Sequence, residues 1–103
     1  MSKKNSEFYV KIHDNLKGRV VAICDSDLLG KTLEDENFRI DVSKNFYGGD
    51  LADEPKVIQM LEKERNLNLI GKNIVELCIK LGIISKENVI FVNNIPHMQL
   101  IEP

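Results

Sequence analysis

Two histidines, two cysteines and one aromatic, glycine-rich loop are the groups in this chain best suited to chemistry. His97 follows Pro96, and Gln99 lies two residues on, so on a strand both share one face. A histidine so placed can serve as a general acid or base, or meet a phosphate, with Gln99 orienting the ring. The plainer alternative is a hydrogen-bonded residue at a hairpin end. His13 ends a strand-like run and reads as solvated. Phe46-Tyr47-Gly48-Gly49-Asp50 sets two aromatics before two glycines in a chain with only four phenylalanines, two tyrosines and no tryptophan. The glycines allow a tight turn or a backbone concavity for an anion. Asp50, Asp53 and Glu54 would repel a phosphate, and no lysine follows the glycines, which excludes a Walker-type loop. A turn with Phe46 buried as its anchor leaves Tyr47 as the exposed ring. Asn68-Leu69-Ile70-Gly71-Lys72 is the third unusual stretch: Asn68 can cap a helix there, and Gly71 permits close packing or the approach of a ligand.

Other chemistries find little support. The serines lack a glycine-flanked elbow, and no His or Cys pair has ligand spacing, so neither a nucleophile nor a metal site is expected, and no cofactor. Cys24 and Cys78 lie far apart in apolar surroundings and read as reduced core thiols. Asp25 and Asp27 read as helix-start residues. Net charge is −2, so there is no global field for nucleic acid or acidic membrane, and DNA is not expected as a partner. Lys11, Arg19 and Arg39 could nonetheless line one sheet face with Tyr9 among them, a pattern able to bind single-stranded RNA; scattered solvated charges are the alternative. The longest apolar run, Val20 to Cys24, is too short to span a bilayer, and the polar opening Met1 to Ser6 is not a secretory leader, so a cytoplasmic protein is expected.

The elements that must carry these residues follow from periodicity. Residues 1–7 read as a disordered N-terminus and 8–103 as one α+β domain. Phe8 to His13 alternates as a half-buried strand, and Arg19 to Cys24 is a more central strand paired with it in a hairpin. One short helical turn follows at residues 25–29. Residues 32–37 read as an acidic connection and Phe38 to Val42 as the third strand. A helix opens at Asp53-Glu54-Pro55 and a second runs from about Leu69 to Leu81, with Ile70, Ile74, Leu77, Cys78 and Leu81 as its stripe. Val89 to Val92 and Met98 to Ile101 close the chain. The expected order is βββααββ, a mostly antiparallel sheet covered by a helix pair.

Several of these stretches together resemble a known family. Lys11-Ile12-His13, then Val20-Val21-Ala22-Ile23-Cys24-Asp25 with Leu28-Leu29-Gly30-Lys31, then Phe46-Tyr47-Gly48-Gly49, Asn68-Leu69-Ile70-Gly71 and Pro96-His97-Met98-Gln99 are similar to the archaeal domain of unknown function 424 family. Met98 stands where that family usually has alanine, and Asn93-Asn94 where it has two glycines. The resemblance implies a small cytoplasmic archaeal protein associated with translation and brings no activity or cofactor. The leading expectation is a non-enzymatic binding module contacting RNA or a ribosomal or translation-factor protein through Phe46, Tyr47, Gly48, Gly49, Asn68, Gly71, Lys72, His97 and Gln99. The alternatives are a small enzyme acting on a nucleotide or RNA with His97 as acid or base, and a protein-binding or self-associating module using the edge of its terminal hairpin.

Overall fold

The computed structural model describes residues 7–102, so the expected N-terminal disorder at residues 1–6 lies outside the described residues, while Glu7 already belongs to the first strand. Strands β1 (Glu7–Asn15) and β2 (Gly18–Asp25) form the expected hairpin, with Val10 opposite Ile23 and Ile12 opposite Val21. A 3-10 turn at Ser26–Leu28 leads into β3 (Thr32–Glu34) and β4 (Arg39–Asp41). Helix α1 (Lys44–Tyr47), strand β5 (Asp50–Asp53) and helix α2 (Glu54–Leu61) follow. Then come β6 (Leu67–Ile70), α3 (Lys72–Lys80), a 3-10 turn at Lys86–Asn88, β7 (Ile90–Val92) and β8 (Ile95–Leu100).

The architecture is α+β. Six strands form one sheet in the order β5-β1-β2-β6-β8-β7, and β3 and β4 form a separate ribbon. Every pairing is antiparallel except β2 with β6, which makes the sheet mixed. The expected order βββααββ is therefore corrected by the short helix α1, which stands where the aromatic turn is expected, and by three further strands. Residues 32–34 pair as a strand because Leu33 is buried between exposed Thr32 and Glu34; the acidic neighbours hid a one-residue apolar pattern. Residues 50–53 form an edge strand with only Ala52 buried, too short and acidic to announce itself. Leu67–Ile70 is a fully buried strand between β2 and β8 rather than the first turn of a helix. A four-residue apolar run cannot be assigned to strand or helix by periodicity alone.

Both faces of the sheet are covered. On one, Val57 and Leu61 of α2 and Ile74, Leu77 and Cys78 of α3 pack into a single cluster with strand residues such as Val21 and Leu69. On the other, Leu33, Val42 and Tyr47 from the ribbon and α1 pack over Ala22, Cys24 and Ile70. The stripe of α3 is thus shorter than expected: Ile70 belongs to the sheet and Leu81 is 42% exposed. Leu77 is 8% exposed, and Leu77→Ala is expected to cost about 2–4 kcal/mol, somewhat under the full range for a leucine sealed in a core. A urea midpoint equal to that of the native chain would contradict this placement of the core.

Cys24 and Cys78 belong to opposite faces of the sheet, are free and buried, and burial pushes each thiol up to about 12. Both thiols should therefore resist a disulfide reagent at pH 8 in the folded protein and react fully in denaturant. Rapid labelling of either in the native state would overturn that assignment.

Candidate functional site

The expected site residues fall into two groups on different parts of the sheet. Ser43 caps α1 by accepting from the Phe46 amide at 3.1 Å, and the turn that follows lays Tyr47 onto the sheet. Tyr47, expected to be the exposed ring, is 3% exposed, and Phe46, expected to be the buried anchor, is only half-buried. The reason is polar as well as steric. The Tyr47 hydroxyl donates to Oδ1 of Asn68 at 2.5 Å, satisfying the buried amide in the middle of β6. Phe46 instead stacks on His13, with ring centroids 4.5 Å apart, and its carbonyl accepts from His13 Nε2–H at 2.8 Å. Gly48 sits behind α1, its amide donating to the Lys44 carbonyl. Gly49 lies against β1 so closely that a Cβ would fall 2.0 Å from the Val10 carbonyl oxygen. Gln99 stands opposite Asn68 in the sheet but is exposed.

The second group gathers where β6 meets α3. Gly71 has φ +129° and donates its amide to the Pro96 carbonyl at 3.0 Å. Asn68 does not cap α3, as the sequence suggests; Asp25 does, from the end of β2. Its Oδ2 accepts from the Asn73 amide at 2.8 Å and its Oδ1 from the Ile74 amide at 2.9 Å. Burial pushes the Asp25 carboxyl above its ordinary range, and the two amides pull the other way. This strand–glycine–helix turn has the form of an anion cradle, but the anion is the protein's own carboxylate.

His97 is oriented by main chain rather than by Gln99. A carbonyl only accepts, so the 2.8 Å contact to Leu69 O puts the proton on Nδ1. A carboxylate beside His97 would have favoured catalysis, but Asp50, on β5, lies four strand spacings and about 19 Å away. Burial lowers the His97 pKa below its ordinary 6.5. The folded protein then binds this proton more weakly than the unfolded chain, so the contribution of His97 to stability is full above pH 6.5 and falls as the pH drops toward the lower folded value. An NMR titration should place the His97 midpoint below 6.5; a midpoint at or above it would remove this contribution.

The cations expected to share a sheet face with Tyr9 do not assemble. Arg19 pairs with Asp14 and Glu64, both at 3.1 Å, and Arg39 lies on the ribbon beside Glu34 and Asp41. Tyr9 packs against the cluster under the ribbon. Among the described residues no three His, Cys, Asp or Glu side chains converge as metal ligands, and no helix is long and apolar enough to cross a membrane.

The arrangement that sequence reasoning missed is a groove of about 540 Å³ between α3 and β7. Its apolar walls include Val75, Ile79, Val89, Phe91 and Pro96, and Lys72, Lys80, Lys86 and Glu76 line it as well. Of the expected site residues only Lys72 belongs to it. The signal was present in α3, where Lys72, Val75, Glu76, Ile79 and Lys80 recur at helical spacing on one side. Asn93 and Asn94, with φ +49° and +67°, make the two-residue turn that fixes Val92 opposite Ile95 and Phe91 opposite Pro96. The Pro96 carbonyl is turned toward Gly71, away from β7, so the amide and carbonyl of Phe91 point out from the sheet edge. Its ring is 59% exposed. At the far end of β7 the Asn93 amide is already taken by Asp35 Oδ2 at 2.8 Å. A second hollow, of about 740 Å³, lies at the β5 edge, where Lys11, Lys56 and Asp50 mix both charges around Leu51.

The sequence profile of the family described as protein of unknown function, DUF424, matches residues 11–102. The chain belongs to the DUF424 family. A search of curated proteins finds no match. Among solved structures, this DUF424 chain is similar to an uncharacterized conserved protein from Methanopyrus kandleri, with a TM-score of 0.73 and 23% identity over 94% of this chain and 96% of that one. That likeness concerns the fold, which the archaeal protein shares with the DUF424 chain described above.

Proposed function

We propose that this DUF424 protein is a non-enzymatic binding module whose partner is a protein, held in the groove between α3 and β7. One observation carries the reading: an open apolar trough borders a sheet edge whose Phe91 main-chain groups have no strand beside them among the described residues. Exposed apolar surface of this kind marks protein contacts or ligand grooves, and an open sheet edge beside it favours a protein. The translation machinery is the expected source of the partner. The buried Tyr47 and the paired Arg19 and Arg39 leave little for an RNA surface. The test places a photo-crosslinking phenylalanine analogue at position 91 in the native host. A protein adduct whose yield drops sharply with Ile79→Glu supports the reading. An adduct removed by nuclease, or none at all, overturns it.

A further inference from the structure

The groove has a shape and charge that specify its occupant more narrowly. Three lysines and one glutamate line it on a chain whose net charge is −2. None of the three lysines is in a salt bridge among the described residues. Lys72 stands at the Pro96 end, because Gly71 is bonded to Pro96, and Lys80 lies eight residues further along the helix. At about 1.5 Å per residue that separation is about 12 Å. Along an extended chain, side chains on one face recur every second residue, at about 6.8 Å. Two residues four apart on a strand are thus about 13.6 Å apart, close to the spacing of the two lysines.

We infer that the partner enters as an extra strand on β7, presenting an acidic–x–apolar–x–acidic segment to the groove; this rests on the protein-binding reading above. The central residue of the guest lies opposite Phe91, accepting from its amide and donating to its carbonyl. Residues joined in such a pair share a sheet face, so the apolar side chain of the guest enters the trough beside Phe91, Val75 and Ile79. The two acidic side chains, on the same face, flank the trough: the one toward the Asn93-Asn94 turn meets the long side chain of Lys72, which stands level with Pro96 and Phe91, and the other meets Lys80 with Lys86 toward the start of β7. The intervening residues face the ribbon, where Asp35, held on the Asn93 amide, disfavours further acid. Asp35 on the Asn93 amide closes one end of the edge and limits pairing to a short segment.

The probe is a blocked synthetic peptide, Ser-Glu-Thr-Leu-Thr-Glu-Ser, titrated into the full isotopically labelled chain and followed by amide shifts. Shifts are expected at Phe91, Val75 and Ile79. N-methylation of the central leucine should weaken binding at least tenfold, because that amide must donate to Phe91. N-methylation of either threonine, whose amide points to solvent, should change it less than twofold. Replacing both glutamates with lysine, or using the Lys72→Glu/Lys80→Glu chain, should cost at least tenfold, and the amide spectrum of the variant verifies its fold. Tolerance of the leucine N-methyl group would overturn strand addition while leaving a protein-binding groove. Equal affinity for the lysine peptide would overturn the charge assignment. Absence of peptide binding would overturn the inference, and the crosslinking result at position 91 would decide the broader reading separately.

Discussion

Gly71→Ala is expected to destabilise this protein by about 3–5 kcal/mol, a large share of the roughly 5–15 kcal/mol that holds a domain of this size together. Two effects add. At φ +129° and ψ 150° the backbone occupies a region essentially reserved for glycine, and forcing a side chain into it costs about 1–3 kcal/mol. The new Cβ would also stand 2.4 Å from Asp25 Cγ, so the carboxylate must leave the Asn73 and Ile74 amides. Hydrogen bonds to a charged group contribute about 1.5–3 kcal/mol, and Asp25 is 4% exposed, so water replaces them poorly. Asp25→Ala removes the same cap from the other side. If the carboxylate is what the methyl group meets, the Gly71→Ala/Asp25→Ala pair should cost clearly less than the sum of the singles in urea unfolding. Strict additivity would mean that backbone strain alone explains Gly71.

The same turn shows where the sequence could be read and where it could not. The β1–β2 hairpin was legible because Phe8, Val10 and Ile12 alternate with polar residues, and the β7–β8 region because Asn93-Asn94 punctuates it. The break between β6 and α3 was not. Ile70 and Ile74 are four apart, as on a helix face, yet they lie on opposite sides of the sheet, in different clusters. Only the partner strands β2 and β8, distant in sequence, decide that Leu67–Ile70 is extended. Asp25 was read as a helix-start residue, and so it is, but for α3, whose capped amides lie 48 and 49 residues away. No local pattern carries such a pairing. Phe46-Tyr47-Gly48-Gly49 was recognisable as a constrained turn, whereas which ring turns inward depends on Asn68, whose buried amide oxygen needs a donor that Tyr47 has and Phe46 lacks. The groove escaped notice for a related reason: its two walls, α3 and β7, are each unremarkable, and only the sheet order sets them side by side.

Tyr47→Ala should lower stability by about 3–5 kcal/mol, the range for removing a buried aromatic ring, with no specific effect on partner binding in the folded fraction. The ring fills the space between α1 and the sheet against Cys24, and its loss leaves both a cavity and an amide without a donor. Tyr47→Phe separates the two. It keeps the ring and leaves Oδ1 of Asn68 buried and unpaired, for a cost of about 1–3 kcal/mol. Burial holds the Tyr47 hydroxyl pKa above its ordinary value, so the hydroxyl keeps its proton and remains a donor at neutral pH. Asn68→Leu should offset part of the penalty in the Tyr47→Phe background, since two apolar groups then face each other. The binding prediction follows from topology: Tyr47 and Asn68 lie on the ribbon face of the sheet, and the α3–β7 groove opens on the other. Tyr47→Phe should therefore bind the acidic peptide as the native chain does while unfolding at lower urea. A Tyr47→Ala protein with a native midpoint and lost binding would reverse the assignment, returning this ring to the contact surface and removing α3 and β7 from it.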